Sequence, residues 1–167
     1  NVSALEKLES EGIKVYPDSK TLKIIQDKST QKKFFIKNDI PTANYKHYKS
    51  LNDLDTIKYP CVWKKTKFGY DGYGVKILKS KDDIKNLPET EFIIEDLIPF
   101  KKELATTIAR NKSGQIEIFP IVEMMFNEIS NQVEYVLCPA QISSEINEKA
   151  KKIALKVSES FKQVGLL

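Results

Sequence analysis

The stretch Lys64-Lys65-Thr66-Lys67-Phe68-Gly69-Tyr70-Asp71-Gly72-Tyr73-Gly74 decides how this chain is read. Two compact apolar runs flank it, Cys61-Val62-Trp63 before and Val75 to Leu78 after, and both have the length and residue types of strands. Three glycines in six residues therefore join strand to strand. No Gly-Lys-Ser/Thr follows, so this is not a Walker A loop. A strand follows rather than a helix, so it is not the dinucleotide fingerprint either. A glycine-rich strand–loop–strand can instead fold down over phosphates, because glycine lets backbone N–H groups approach the oxygens without an intervening Cβ. Lys64 and Lys65 leave opposite faces of the strand, so only one of them points at such a ligand. The same residues also make an ordinary hairpin tip with solvated lysines, and the stretch alone leaves both readings open.

Working outward, Phe92-Ile93-Ile94 reads as a third strand, apolar throughout and so covered on both faces. It runs into Glu95, Asp96, Leu97 and Ile98, and another acid, Glu103, follows eight positions after Glu95. Such a hinge can offer main-chain groups to a planar base while a carboxylate accepts ribose hydroxyls. An apolar strand ending at a charged edge has the same composition. Glu123, after Phe119 to Val122, is likewise open between a ligand-facing acid and an edge carboxylate.

Capping signals place helices from Ser3 (closed by Gly12), from Ser19, and from Ser29 or Thr30 to about Asn38. Ile13 to Tyr16 and Ile40 to Ala43 read as extended. Ser50 and Ser80 start shorter helices. Glu103 to Arg110 alternates with period two as one strand, and Asn111 to Gly114 turns it towards a partner at Glu117 to Phe119. Val133 to Cys138 is another strand. Ile146, Ala150, Ile153, Ala154, Val157, Phe161 and Val164 form one stripe of an amphipathic helix that Gly165 can close. The class is α+β.

Composition narrows the function. At 167 residues, 41% hydrophobic and 30% charged, the chain reads as a soluble globular domain or two small lobes, with no apolar run long enough for a membrane span. The first residues, Asn1 to Lys7, carry no signal-peptide pattern and no initiator methionine. The net charge of +4 comes from lysine, Arg110 being the sole arginine, which excludes a sequence-specific DNA reader. Lysine pairs such as Lys101-Lys102 read as solvated surface. Cys61 and Cys138 are far apart and the one histidine is His47, which excludes ordinary structural zinc. Both cysteines are expected as buried free thiols, and His47 is given no role.

Taken together and in order, these stretches resemble the ATP-grasp superfamily, and within it the synthetases that carboxylate aminoimidazole ribonucleotide in purine biosynthesis. The matching segments are Ile25 to Lys32, Ile40 to Ala43, Lys64 to Gly74, Glu95 to Ile98 with Glu103, Phe119 to Glu123, Pro139 to Ile142, and Val164-Gly165. The resemblance implies that ATP phosphorylates bicarbonate and that the carboxyphosphate, or carbon dioxide from it, carboxylates the amine of aminoimidazole ribonucleotide. It implies ATP contacts at Lys28, Lys64, Gly69, Tyr70, Asp71, Gly72, Tyr73, Gly74 and Val75, an adenine hinge at Glu95 and Ile98, and a ribose contact at Glu103. Tyr70, at the loop tip, is the candidate catalytic residue, facing the carboxyphosphate.

Mg²⁺ is implied as the companion of ATP. In the family its Glu and Asn ligands and the basic acceptor segment come after the position of Leu167, and an α/β domain comes before that of Asn1. The metal site is therefore expected outside this sequence, and the segment alone is expected to be inactive. The implied fold is a partial ATP-grasp: 1–41 the end of an N-terminal domain and linker helices, 42–98 the small lid lobe, 99–167 the start of the central domain. The implied enzyme is a cytoplasmic homodimer with small-molecule partners and neither nucleic acid nor membrane. Another ATP-grasp carboxylate–amine ligase, or a non-enzymatic nucleotide-binding module, are the competing readings. Two departures stand out: Phe68 occupies a position where the family commonly has glycine, and Phe126 one where relatives place a histidine.

Overall fold

The computed structural model describes residues 1–54, 56–69, 74–127 and 132–167. Three short helices open the chain: α1 (Val2–Ser10), α2 (Ser19–Ile25) and α3 (Lys28–Lys37). Each starts on an acid or amide upstream of the serine or threonine expected. Asn1 accepts from the Ser3 N–H at 3.1 Å, Asp18 from Thr21 at 2.7 Å and Asp27 from Thr30 at 2.9 Å. Asn and Asp cap as well as serine does, so composition alone could not choose between neighbours. Gly12, at φ +83°, does end the first helix, its N–H donating to Glu9 O at 3.0 Å.

A four-stranded antiparallel sheet follows: β1 (Tyr45–Tyr48), β2 (Cys61–Lys65), β3 (Val75–Leu78) and β4 (Phe92–Asp96), in the order β1-β4-β2-β3. All four strands fall between residues 42 and 98. Short 3-10 turns at Leu51–Asp53 and Lys81–Asn86 begin on Ser50 and Ser80, whose backbone N–H groups donate back to Asp53 and Asp83. Central β4 is buried from Phe92 to Glu95: the apolar run Phe92 to Ile94 is covered as expected, and the burial extends to the charged Glu95. The core gathers Tyr48, Cys61, Trp63, Leu78, Leu87, Phe92 and Ile94, with the Phe92 ring stacked on Tyr48 at 5.3 Å. β1 was not foreseen: Tyr-Lys-His-Tyr has no apolar alternation, and it is Tyr48 opposite Phe92 that fixes it in the sheet.

The last third holds β5 (Glu103–Ala105), β6 (Ile108–Arg110), β7 (Ile116–Ile118), β8 (Val122–Phe126), β9 (Val133–Leu137), α4 (Ser144–Phe161) and β10 (Gly165–Leu166). They form two small antiparallel sheets, β5-β8-β9 and β10-β6-β7. The single strand expected over Glu103 to Arg110 is thus two strands in different sheets. The break is at Thr106 and Thr107: Thr106 Oγ1 donates to Phe119 O at 2.8 Å, and the Phe119 N–H donates to Thr107 O at 2.9 Å.

Lys162, at φ +53°, takes the left-handed position expected of Gly165 at the end of α4, its N–H donating to Ser158 O at 2.8 Å. Gly165 opens β10 opposite Arg110 instead. Gln163 is buried there and donates to Ser158 Oγ at 3.1 Å. The Phe34 ring stacks on Phe161 at 4.2 Å, which ties α3 to α4.

Both cysteines are free, as expected, but only Cys61 is buried. Cys138 is exposed because it follows β9, an edge strand with every residue exposed. Among the described residues no helix is long and apolar enough to cross a membrane.

Candidate functional site

The antiparallel register of β2 and β4 sets Val62 opposite Glu95 and Lys64 opposite Ile93. Lys64 and Glu95 are therefore diagonal neighbours on one face, within reach of a long side chain. Lys64 Nζ lies 2.7 Å from Glu95 Oε2. Lys65 leaves by the other face, and its N–H closes the root of the glycine-rich loop by donating to Gly74 O at 2.8 Å.

Helix α3 packs on β4 and brings two more lysines. Lys28 and Lys32 are one turn apart and share a face. Lys32 Nζ is 2.9 Å from Glu95 Oε1, so the two oxygens of one buried carboxylate hold two ammonium groups. Burial lowers the Lys28 pKa below its ordinary value; the positive charge of Lys64 lowers it further, and Glu95 opposes both. Lys28 also anchors the loop, its N–H donating to Thr66 O at 2.8 Å. Beside it, burial pushes the Asp27 carboxyl up, but the Thr30 N–H and Lys67 (3.4 Å away) outweigh this and hold it below its ordinary value.

Two ammonium groups on one carboxylate, with Lys28 close enough to feel the charges of both Lys64 and Glu95, leave excess positive charge at the root of the loop, which suits a polyanion. A cavity of about 960 Å³ opens alongside, lined by Lys23, Gln26, Asp27, Lys28, Lys67 and Phe68 among others. Phe68 has φ +59° and is 85% exposed. A bulky side chain rarely adopts that backbone, and this is the position at which the resemblance puts glycine. Gly74, at φ +83°, is crowded: a Cβ there would stand 3.1 Å from Lys65 Cδ, so the Lys65 side chain would have to give way. Tyr70, Asp71, Gly72 and Tyr73 lie outside the described residues.

The structure thus brings Lys28, Lys64 and Glu95 together, with Gly69, Gly74 and Val75 on the loop and strand they support. The Glu95 side chain points into the lysine cluster rather than out of the strand's end. The connector that follows, residues 97–102, carries the exposed Ile98. Glu103 opens β5 opposite Met124, in a different sheet from Lys64. Glu123 lies inside β8, not at its edge, and is buried with Lys102 Nζ 2.8 Å away. His47 Nε2 is 2.9 Å from Glu91 Oε1.

Lys32 was missed. Its spacing from Lys28 was the available signal, but nothing in the sequence announced that a lysine would be buried. Among the described residues no group of three or more His, Cys, Asp or Glu side chains is placed to hold a metal ion.

The ATP-grasp domain family matches residues 33–167, most of the chain. The chain belongs to the ATP-grasp family. This ATP-grasp chain is 30% identical over 170 residues to N5-carboxyaminoimidazole ribonucleotide synthase of Synechocystis, an alignment covering 100% of this chain and 43% of that protein. It superposes on the crystal structure of N5-carboxyaminoimidazole ribonucleotide synthetase from Thermotoga maritima with a TM-score of 0.84 and 38% identity, covering 99% of this chain and 43% of that one. The Aspergillus clavatus enzyme in complex with ADP and 5-aminoimidazole ribonucleotide matches with a TM-score of 0.84 and 26% identity, over 99% of this chain and 45% of that one. The chain spans less than half the length of these relatives.

Proposed function

We propose that this segment is the phosphate-gripping part of an ATP-dependent ligase that carboxylates 5-aminoimidazole ribonucleotide with bicarbonate, in purine biosynthesis. The convergence of Lys28, Lys64 and Glu95 beneath the loop rooted at Lys65 and Gly74 carries the reading. The names and bound ligands of the relatives support the choice of nucleotide and acceptor.

In the proposed reaction a bicarbonate oxygen bonds to the γ-phosphorus and the bond to the β-phosphate oxygen breaks, releasing ADP. The amine nitrogen then bonds to the carboxyphosphate carbon, or to carbon dioxide derived from it. Phosphate leaves, and the nitrogen gives up a proton. Bicarbonate and ATP are both anions, so positive charge must offset their repulsion as they meet. Lys28 and Lys64 supply such charge, held in place before the ligand arrives. In this reading residues 69–75 contact the phosphates and keep water from the labile carboxyphosphate, which Tyr70 contacts. Ile98 and the main chain after Glu95 receive the adenine, and Glu103 the ribose.

Mg²⁺ belongs to the same proposal, and the described residues offer it no cluster of His, Cys, Asp or Glu ligands. The division into 1–41, 42–98 and 99–167, a homodimeric assembly and a cytoplasmic location complete the reading.

The test is ADP release by the full-length protein supplied with ATP and bicarbonate. Release that depends on 5-aminoimidazole ribonucleotide is expected. Release that depends equally on glycinamide ribonucleotide, or on no acceptor, overturns the choice of substrate.

A further inference from the structure

Lys32 is the buried member of the lysine cluster, with its side chain 11% exposed against 29% for Lys64. An ammonium has three protons to donate. Lys32 has an acceptor for each: Glu95 Oε1 at 2.9 Å, Thr42 Oγ1 at 2.6 Å and Ala43 O at 3.2 Å. It also stands 5.8 Å from the centre of the Tyr45 ring. A lysine saturated in this way has nothing left for a ligand. Lys64 is in the opposite condition. It meets Glu95 Oε2 at 2.7 Å and no other acceptor among the described residues, so two of its protons remain for an anion.

We infer that Lys32 is a positioning residue, acting through Glu95 to keep the Lys64 ammonium directed at the phosphates of a bound nucleotide. This rests on the nucleotide-binding function proposed above. Lys32 occupies one carboxylate oxygen and fixes the rotation of the carboxylate. Lys64 can then reach only the other oxygen. Without Lys32, a buried carboxylate would have one bare oxygen, and Lys64 is placed to bridge both. That would draw it back onto the sheet and away from the loop.

A double-mutant cycle in the full-length protein tests this, read by calorimetric titration with ADP and, separately, with adenosine. Lys32→Met is expected to weaken ADP binding roughly tenfold, the size of one charged hydrogen bond, and to leave adenosine binding unchanged. Lys64→Met should weaken ADP similarly, and adding Lys32→Met to it should cost nothing further, because the two act through one chain of contacts. Lys32→Arg restores the charge and should recover part of the loss.

Equal weakening of ADP and adenosine, or losses that add in full, overturns the inference. If Lys32→Met does not fold, Thr42→Val carries the test: it removes one acceptor and no charge, and should give a smaller loss confined to ADP. A loss shared by adenosine again overturns the inference. A wild type that binds ADP no better than adenosine overturns the proposed function, and this inference with it. A wild type with normal preference beside additive variants overturns the inference alone.

Discussion

Glu95→Gln keeps the shape of the buried side chain and removes its charge, so it isolates what the carboxylate does for the fold. The cost is worked from the two contacts it loses. Lys64 is 29% exposed and can swing its ammonium into water, so its share is at most about 1 kcal/mol. Lys32 is 11% exposed and cannot follow. Breaking a buried pair from one side typically costs about 3–5 kcal/mol. Lys32 keeps Thr42 and Ala43 as acceptors, which places it at the low end. The total is about 3–4 kcal/mol, or a melting midpoint lower by about 6–16 °C for a chain of this size.

The double variant Glu95→Gln/Lys32→Met removes the stranded charge and should regain much of that loss, since an uncharged pair of similar volume needs no counterion. Thermal unfolding followed by circular dichroism decides it. A single variant that melts with the wild type, or a double variant whose loss is the sum of its parts, refutes the picture of one carboxylate neutralising two lysines.

Gly74→Ala should cost more than Gly12→Ala. Both glycines have φ +83° and share a strain of about 1–2 kcal/mol, but only at Gly74 would the new Cβ meet a side chain, and equal urea midpoints would refute the difference. Lys28→Met should stabilise the fold while weakening ADP binding. The folded-state pKa of Lys28 lies below its ordinary value of 10.5, so between the two the unfolded chain holds more protons and wild-type stability rises with pH. That rise should be smaller in the variant, and an unchanged slope in urea unfolding across the window counts against the buried-cation account. Burial raises the Cys61 thiol pKa, whereas Cys138 is exposed, so a thiol reagent should modify Cys138 in the native protein and Cys61 only after denaturant is added. Peptide mapping of the labelled cysteine reads the order, and early labelling at Cys61 would contradict it.

Local signals sufficed where local chemistry decides the outcome. The apolar run at Phe92 could only be a buried central strand. The capping boxes at Ser50 and Ser80 needed no partner from elsewhere in the chain. The loop between Cys61 and Leu78 was legible because glycine marks it and strands bound it. Sequence reading failed where distant residues decide. Period-two alternation over Glu103 to Arg110 is real, but hydrogen bonds from Phe119 and Thr106 break it into two strands. β1 has no pattern of its own and exists through its pairing with β4. Lys162 ends α4 in a backbone conformation that favours glycine, while the glycine three positions later does something else.

The candidate site divides along the same line. Lys64 and the loop could be picked out because lysine and glycine advertise phosphate chemistry, whereas Lys28 came only from the family resemblance. Glu95 was picked out as part of an adenine hinge, and its contacts with two lysines went unread. An acid at the end of an apolar strand looks like the point where the strand meets water, and so a contact for the adenine. In the structure β4 continues through Glu95, which is buried between β1 and β2. A carboxylate can take that place only when its charge is matched. The match comes from α3, more than 60 residues earlier in the chain, and from the neighbouring strand. Asp96 still belongs to β4, opposite Cys61, and its N–H donates to Asn44 O at 3.1 Å, so the chain leaves the sheet only after it. An adenine hinge, if it follows the proposed function, is built from the main chain beyond that point and from the exposed side chain of Ile98. The Glu95 side chain itself is committed to Lys32 and Lys64.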